Sequence, residues 1–309
     1  MFLDYFFTVS EQVAILFILI TVGFICGKIG FMNKTSAKHI TDLVLYFVTP
    51  CVIINAYQVD FDSEILINLG ITALCAIGAH ITAIILVTLI FRGKEIDKRD
   101  VLRFGAVFSN CGFMSLPLQQ AILGQDGVLY GAAFVGVFNI FLWTYGVICM
   151  SGSKEGIKAK SLLLNPGILG VFVALLLFLL SIKLPVVVAQ PVKYLAGLNT
   201  PIPMIIIGYH LSNSNLLQGI KDKNAWLCAL VRLILIPVIF ISIMYLLGVK
   251  DNVLITVAIA VSAPIAATTT MFATKFNKDT SLSVNLVSLS TILSIFTMSC
   301  IVAITQTFA

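Results

Sequence analysis

Long apolar stretches, separated by short segments that carry most of the charged residues, run through the whole sequence. A helix needs about 20 mostly apolar residues to cross the hydrocarbon core of a bilayer, and several stretches meet this requirement. We predict ten transmembrane helices, at residues 12–30, 40–58, 65–91, 101–123, 128–150, 166–183, 187–211, 225–248, 252–274 and 283–307. The predicted fold class is an all-α, polytopic membrane protein.

The composition agrees with a protein that has lipid as its solvent. Of its 309 residues, 59% are hydrophobic and 11% are charged, whereas soluble domains carry about 25% charged residues and fewer apolar ones. The seven cysteines all lie in the predicted helices, without a CxxC pair or a His and Cys spacing that suggests a metal. We interpret them as apolar packing residues, and we expect neither a metal nor a cofactor.

Basic residues are concentrated in alternate loops. Of the 19 Lys and Arg residues, 15 lie in the loops after helices 1, 3, 5, 7 and 9, and three lie in the other loops. Since positive charge is retained on the cytoplasmic side, this bias predicts a multi-pass protein of the cell (plasma) membrane with both termini extracellular. Basic loops facing an anionic leaflet explain the net charge of +5, so no nucleic-acid partner is expected.

The prolines indicate an internal repeat. A Thr-Pro pair ending at Pro50 recurs at Pro201, 151 residues later, and Pro117 is matched by Pro264, 147 residues later. Both offsets are close to half the chain. We therefore predict that the two halves are homologous units.

The predicted units are a first five-helix repeat at 1–150, a short cytoplasmic linker at 151–165 and a second five-helix repeat at 166–309. Because five is odd, the second repeat must enter the membrane from the opposite side. Inverted repeats of this kind are typical of secondary transporters.

One matched pair of prolines interrupts predicted helices that should cross the hydrocarbon core, Pro117 in helix 4 and Pro264 in helix 9. A proline inside a helix removes a backbone hydrogen bond, and in lipid the freed groups must be satisfied by protein or by water in a cavity. The surrounding segments, 108–120 and 261–270, are rich in small and polar residues. If they cross near mid-membrane, two helix N-termini face each other there and favour an anion.

The candidate binding residues come from these two segments and from the neighbouring fifth helix. All 14 Asp and Glu residues lie in termini, loops or helix edges, so no acidic side chain is available at mid-membrane to hold a cation. An anionic cargo is therefore predicted. The candidate substrate-binding residues are Asn110, Cys111, Gly112, Pro117, Gln120, Asn139, Ser262, Pro264, Ile265 and Thr268.

Three titratable residues in the predicted helices have two interpretations each. Arg232, in helix 8, could contact the anion, or its long side chain could extend to the cytoplasmic surface. His80 in helix 3 and His210 in helix 7 could carry a coupled proton, or they could be packing residues bonded to a carbonyl oxygen.

Several short motifs carry a resemblance to a known family: Asn-Cys-Gly-Phe-Met-Ser-Leu-Pro-Leu at 110–118, Asn165-Pro166, and Ala263-Pro264 followed by Phe272-Ala273 and Phe276-Asn277. The chain resembles, over essentially its whole length, the auxin efflux carrier family, which includes plant PIN-type auxin carriers and bacterial malate-permease-like proteins. It departs from that family at Ser115, where members often have Gly, and in the short 151–165 loop, where plant members carry a long regulatory one.

The resemblance implies a sodium/bile-acid-symporter-like fold, with helices 1, 2, 6 and 7 in a scaffold domain and helices 3–5 and 8–10 in a transport domain. It also implies that helices 4 and 9 cross, that a carboxylate is held near the crossing, that access alternates by an elevator-like movement, and that scaffold helices form a homodimer. Asn110 matches the family position linked to carboxylate binding.

The predicted function is secondary transport of a small organic anion, a mono- or dicarboxylate, and not catalysis. The sequence contains no HExxH motif or Asp-rich loop of the kind that intramembrane enzymes use. A sodium-coupled symporter of the bile-acid type is one alternative, which sodium dependence of the flux would separate. A membrane receptor without transport is the other, although a receptor would not need two matched broken helices.

Overall fold

The computed structural model describes residues 2–93, 95–153, 164–214 and 221–309. Within these ranges the regular structure is helical, apart from one isolated bridge between Ser109 and Ile265. The α-helices, in chain order, are α1 (Phe2–Lys28), α2 (Lys34–Leu43), α3 (Thr49–Ala56), α4 (Ser63–Ile90), α5 (Ile96–Val107), α6 (Leu116–Phe141), α7 (Val147–Ser151), α8 (Pro166–Leu179), α9 (Val186–Gly197), α10 (Pro201–Ser212), α11 (Lys223–Leu230), α12 (Ile236–Leu246), α13 (Asp251–Ser262), α14 (Thr268–Lys275) and α15 (Thr280–Gln306). Short π-helical turns occupy Val44–Val48, Cys111–Ser115, Leu142–Gly146 and Val231–Leu235.

Six helical stretches within the described ranges are long and apolar enough to cross a bilayer, at 2–28, 34–56, 63–90, 111–151, 223–246 and 280–306. The prediction of an all-helical, polytopic membrane protein is therefore confirmed. Some helices extend beyond the predicted bounds, as α1 does by beginning at Phe2 and not at residue 12. A helix can continue past the hydrocarbon core into the headgroup region, where polar residues are tolerated.

Four of the predicted spans form shorter or interrupted helices. The span 166–183 contains α8, which has 14 residues, and the span 187–211 is divided between α9 and α10. The spans 101–123 and 252–274 are interrupted, after α5 and after α13. Length and apolar character thus identify six spans, and the ten-helix arrangement stays a prediction.

The 41-residue stretch 111–151 reverses its direction at Gly124. This residue has φ +64°, a left-handed conformation that glycine adopts without steric cost. A Cβ added at Gly131 would lie 2.0 Å from Oε1 of Gln119, although the two residues would be about 18 Å apart along a straight helix. The parts of α6 before and after Gly124 therefore fold back against each other.

Helices α1 and α10 pack along a close seam, which we call the glycine seam and define by Gly23, Gly208 and the residues opposite them. A Cβ added at Gly23 would lie 2.0 Å from the carbonyl oxygen of Ile205, and one added at Gly208 would lie 1.9 Å from that of Ile20. The two backbones are thus in direct contact. Small residues permit such close approach between membrane helices.

Part of the predicted linker at 151–165 lies outside the described residues, since these exclude 154–163. Four of the basic residues in the predicted cytoplasmic loops, Lys94, Lys154, Lys158 and Lys160, also lie outside them. The distribution of basic residues in the sequence is therefore what predicts the orientation of the chain in the membrane.

Candidate functional site

The first interruption separates α5 from α6. Helix α5 ends at Val107, Phe108 is extended with φ −95° and ψ 108°, and a π-helical turn begins at Cys111. Pro117 lies at the start of α6, directly after this π-helical turn and six residues after Cys111. The expected break at Pro117 is therefore misplaced, because the helix ends before that residue is reached.

The second interruption separates α13 from α14. Helix α13 ends at Ser262, Ala263 is extended with φ −63° and ψ 150°, and α14 begins at Thr268. Pro264 lies inside this interruption, in agreement with the break expected there. An extended residue before a proline is the conformation that the proline ring favours.

The two interruptions pair with each other in an antiparallel bridge between Ser109 and Ile265. The N–H of Asn110 donates to the carbonyl oxygen of Pro264 (2.7 Å), and the N–H of Ala266 donates to that of Phe108 (3.0 Å). These bonds satisfy backbone groups that lose their helical partners, as a protein interior in lipid requires. We call the paired segments, 108–110 and 263–267, the crossing.

Two side chains that sequence reasoning missed reinforce the crossing. The hydroxyl of Ser290, on α15, accepts a hydrogen bond (3.1 Å) from the N–H of Ile265. Gln119 is fully buried and donates from Nε2 to the carbonyl oxygen of Thr256 (2.9 Å). The polar composition of the segment was the available signal, but it does not show which glutamine faces the partner helix.

The candidate residues divide into those at the crossing and those away from it. Asn110, Cys111, Ser262, Pro264 and Ile265 lie in or beside the paired segments, and all are buried. Gly112 and Pro117 follow in the π-helical turn and in α6, and Thr268 begins α14.

Three candidates lie away from the crossing. Gln120 and His210 are exposed. Asn139 donates from Nδ2 to the carbonyl oxygen of Val135 (2.9 Å), and its amide would lie 2.9 Å from a Cβ added at Gly167 of α8. Asn139 therefore contacts α8, and the structure does not bring it together with Asn110.

Several polar groups beside the crossing have no partner. The hydroxyls of Thr268 and Thr269 are buried without a hydrogen bond, and within the described part of the chain the carboxamide of Asn110 takes part in none. A Cβ added at Gly112, two residues after Asn110, would meet no atom within 4 Å, so the protein leaves open space on that side of Gly112. Buried polar groups without partners are costly, and a polar ligand could satisfy them.

Arg232 lies in the π-helical turn Val231–Leu235 and is 2% exposed. Its guanidinium group donates to the carbonyl oxygens of Ala106 and Val107, each at 3.1 Å, and also to that of Val261. The interpretation that this side chain extends to the membrane surface is wrong, because the backbone carbonyls at the ends of α5 and α13 hold it in the interior.

A small cavity lies between Arg232 and His80, and Ser109 of the crossing also lines it. Its volume of about 10 Å³ is enough for about one water molecule. Nδ1 of His80 lies 2.7 Å from the carbonyl oxygen of Ala76, and its ring stacks on Phe141 with centroids 4.8 Å apart. His80 thus has the partners of a packing histidine and also faces the cavity.

The outer ends of the interrupted helices are tied by two polar contacts. Nζ of Lys278, just after α14, lies 3.0 Å from Oδ2 of Asp100 in α5. Nδ2 of Asn252, at the start of α13, donates to Oδ2 of Asp126 (3.2 Å), just after the reversal at Gly124. Asp100 and Asn252 are 152 positions apart, and so are Asp126 and Lys278.

The chain has relatives in two archaea. It is 23% identical over 302 residues to an uncharacterized transporter of Methanocaldococcus jannaschii, and the match covers 94% of this chain and 96% of the relative. It is also 23% identical over 296 residues to an uncharacterized transporter of Methanothermobacter thermautotrophicus, again covering 94% of this chain and 96% of the relative.

A family model described as membrane transport protein matches residues 8–302, which include both interrupted helices and every residue of the crossing. The resemblance found in the sequence motifs is thereby confirmed. The chain belongs to the membrane transport protein family, that is, the auxin efflux carrier family.

Proposed function

We propose that this protein is a secondary transporter that moves a small organic anion, a mono- or dicarboxylate, by alternating access. The observation that carries the proposal is the antiparallel pairing of two interrupted helices at Ser109 and Ile265. In transporters, discontinuous helices of this kind place helix ends at the substrate site near the middle of the bilayer.

The chemistry beside the crossing favours a carboxylate. Helical segments begin at Cys111 and at Thr268, and a helix N-terminus carries a partial positive charge of about half an elementary charge. The free carboxamide of Asn110 and the unpartnered hydroxyl of Thr269 supply neutral donors. A carboxylate can accept from several such donors at once, and the open space at Gly112 gives it room.

We further propose ten membrane crossings in two inverted five-helix repeats. The reversal at Gly124 supports counting helices 4 and 5 separately. The two interrupted helices support a repeat, because α5 and α13 have 12 residues each and both their first and their last residues are 155 positions apart. In this arrangement both termini are extracellular and the protein resides in the cell membrane.

The glycine seam supports assigning helices 1 and 7 to a scaffold against which a transport domain moves. Its backbones are in contact at Gly23 and Gly208, so that sliding along it would force a clash. We propose that the crossing, with helices 3–5 and 8–10, moves relative to helices 1, 2, 6 and 7. A homodimer through the scaffold helices is part of the same proposal.

The test is substrate binding and exchange by the full-length protein. A thermal-shift screen against a panel of mono- and dicarboxylates should give at least one stabilising ligand, and that ligand should exchange in counterflow from proteoliposomes. Asn110→Ala should reduce exchange by about 100-fold, equal to about 2.7 kcal/mol, without lowering the thermal midpoint. Asn139→Ala is the matched control, since it removes an amide that contacts α8, and it should exchange normally.

Two outcomes would overturn this proposal. One is normal exchange by Asn110→Ala, which would remove the crossing as the binding site. The other is a panel without a stabilising or exchanged ligand. Replacing external sodium by potassium decides the coupling, because the bile-acid type of symporter would lose exchange and a sodium-independent carrier would keep it.

A further inference from the structure

Arg232 contacts both interrupted helices at the ends where they stop. Ala106 and Val107 are the last two residues of α5, and Val261 is the last but one of α13. The guanidinium donates to the carbonyl oxygen of all three residues. The last carbonyls of a helix have no partner within it, so this one side chain satisfies acceptors that both interruptions leave open.

The charges at this point also balance. Each helix C-terminus carries about −0.5 elementary charge, so the ends of α5 and α13 together offset the single positive charge of a guanidinium. No carboxylate forms an ion pair with Arg232 among the described residues, and an isolated buried charge would be expensive. The helix ends therefore take the place of an acidic side chain.

We propose that Arg232 is a positioning residue that clamps the crossing, and that its charge serves the helix ends and does not contact the cargo. Two of its three nitrogens bind carbonyl oxygens, and Nε has no protein partner. The adjoining cavity has room for about one water molecule, which is too small for an organic anion. The clamp sets the distance between the segments that carry Asn110 and Thr268.

His80, in α4 of the first half, faces Arg232 across the same cavity. Its Nδ1 lies against the carbonyl oxygen of Ala76 in its own helix. The bond of His80 therefore stays within its own helix, whereas Arg232 bonds to both α5 and α13.

The clamp can be tested without a substrate, because Cys111 is 1% exposed beside the crossing. The full-length protein is treated with N-ethylmaleimide in detergent, and peptide mass spectrometry measures the labelling rate of Cys111 separately from the other cysteines. Arg232→Met should raise this rate at least about tenfold, since it removes three hydrogen bonds from a charged group, which are stronger than those between neutral groups. Arg232→Lys keeps the positive charge but loses the planar guanidinium group, whose several N–H donors can bind more than one carbonyl oxygen. This variant should give an intermediate labelling rate.

Ile236→Val is the matched control, because it trims a buried side chain one turn further along and touches neither helix end. Its labelling rate should stay within about twofold of the wild type, as expected for a change of about 0.4 kcal/mol or less in the opening equilibrium. If Arg232→Met is not recovered folded, Arg232→Gln replaces it, since glutamine also removes the charge, and the same criterion applies.

A wild-type labelling rate in the uncharged variant would overturn the proposal. Equal acceleration by the Lys and uncharged variants, or by Ile236→Val, would assign the effect to lost packing and would also overturn it. The role of Arg232 in transport rests on the proposed function, but its role in the crossing does not. If labelling is accelerated but the protein exchanges no carboxylate, the proposed role of Arg232 in the crossing holds and the proposed carboxylate substrate is refuted.

Discussion

The glycine seam and the crossing bring backbones together by opposite means. In the seam, α1 and α10 remain helical, and Gly23 and Gly208 let them touch by presenting no side chain. At the crossing, both helices stop, and the freed N–H and C=O groups bond between Asn110 and Pro264 and between Ala266 and Phe108. Glycines, which have no side chain, give the seam a tight apolar contact. Interrupted helices, whose backbone groups lack helical partners, give the crossing a polar contact.

This difference shows which part of the protein could hold a polar ligand within the bilayer. Both helices of the seam are continuous at the contact, so their backbone groups there are bonded within each helix and are not available to a polar ligand. The crossing satisfies most of its groups but leaves the hydroxyls of Thr268 and Thr269 without partners. Rigidity and polar capacity are thus assigned to separate parts of one membrane protein, and three substitutions test this separation.

The largest effect is expected from Gly208→Ala in the glycine seam. The added methyl group would lie 1.9 Å from the carbonyl oxygen of Ile20, and relieving that overlap should cost about 3 kcal/mol of folding stability. Thermal and chemical unfolding in detergent measure the loss. Gly70→Ala, where an added Cβ meets no atom within 4 Å, should unfold like the wild type, and an equally stable Gly208→Ala would contradict a tight seam.

An intermediate effect is expected from Asp100→Asn at the outer end of α5. Asp100 is 8% and Lys278 14% exposed in their side chains, and breaking this pair should cost about 1–2 kcal/mol, less than a fully buried pair, because water still reaches both side chains. Asp126→Asn, at the exposed equivalent contact with Asn252, should cost less than about 0.5 kcal/mol. Unfolding midpoints that rank the two variants in the reverse order would refute this assignment.

The smallest effect on stability is expected from Gly112→Ala at the crossing. No atom lies within 4 Å of the added Cβ, so the free energy of unfolding should change by less than about 0.5 kcal/mol. Exchange of the cargo should nonetheless slow several-fold, since the methyl group occupies the open space at Gly112. A stability loss as large as that of Gly208→Ala would show that the crossing is packed as tightly as the seam.

The sequence predicted the interrupted helices well because their composition is unusual for hydrocarbon. Small and polar residues in two membrane spans indicated both segments, and Pro264 lies inside the second break. Asn110, Pro264 and Ile265 are among the residues that the sequence predicts at the binding site, and they lie in the paired segments. Pro117 does not locate the first break, because it lies at the start of α6, after α5 has already ended at Val107.

The contacts between segments could not be read from the sequence. Gln119 and Gln120 are adjacent, and contacts with distant residues, among them the bond to Thr256, decide that Gln119 is buried while Gln120 is exposed. Arg232 was open to two interpretations because a long side chain can reach either the surface or the interior. The acceptors that hold it lie 125 and 126 positions before it and 29 after it, a distance that no local pattern reports.

The two ties at the outer ends of the interrupted helices have a mechanical consequence. Asp100 fastens the start of α5 to the chain beyond α14, and Asn252 fastens the start of α13 to the chain beyond the first part of α6. Together with the bridge in the centre, these two contacts link the four half-helices to one another. Tilting one half-helix relative to the others would stretch these contacts, and the more buried pair of Asp100 and Lys278 would resist it most.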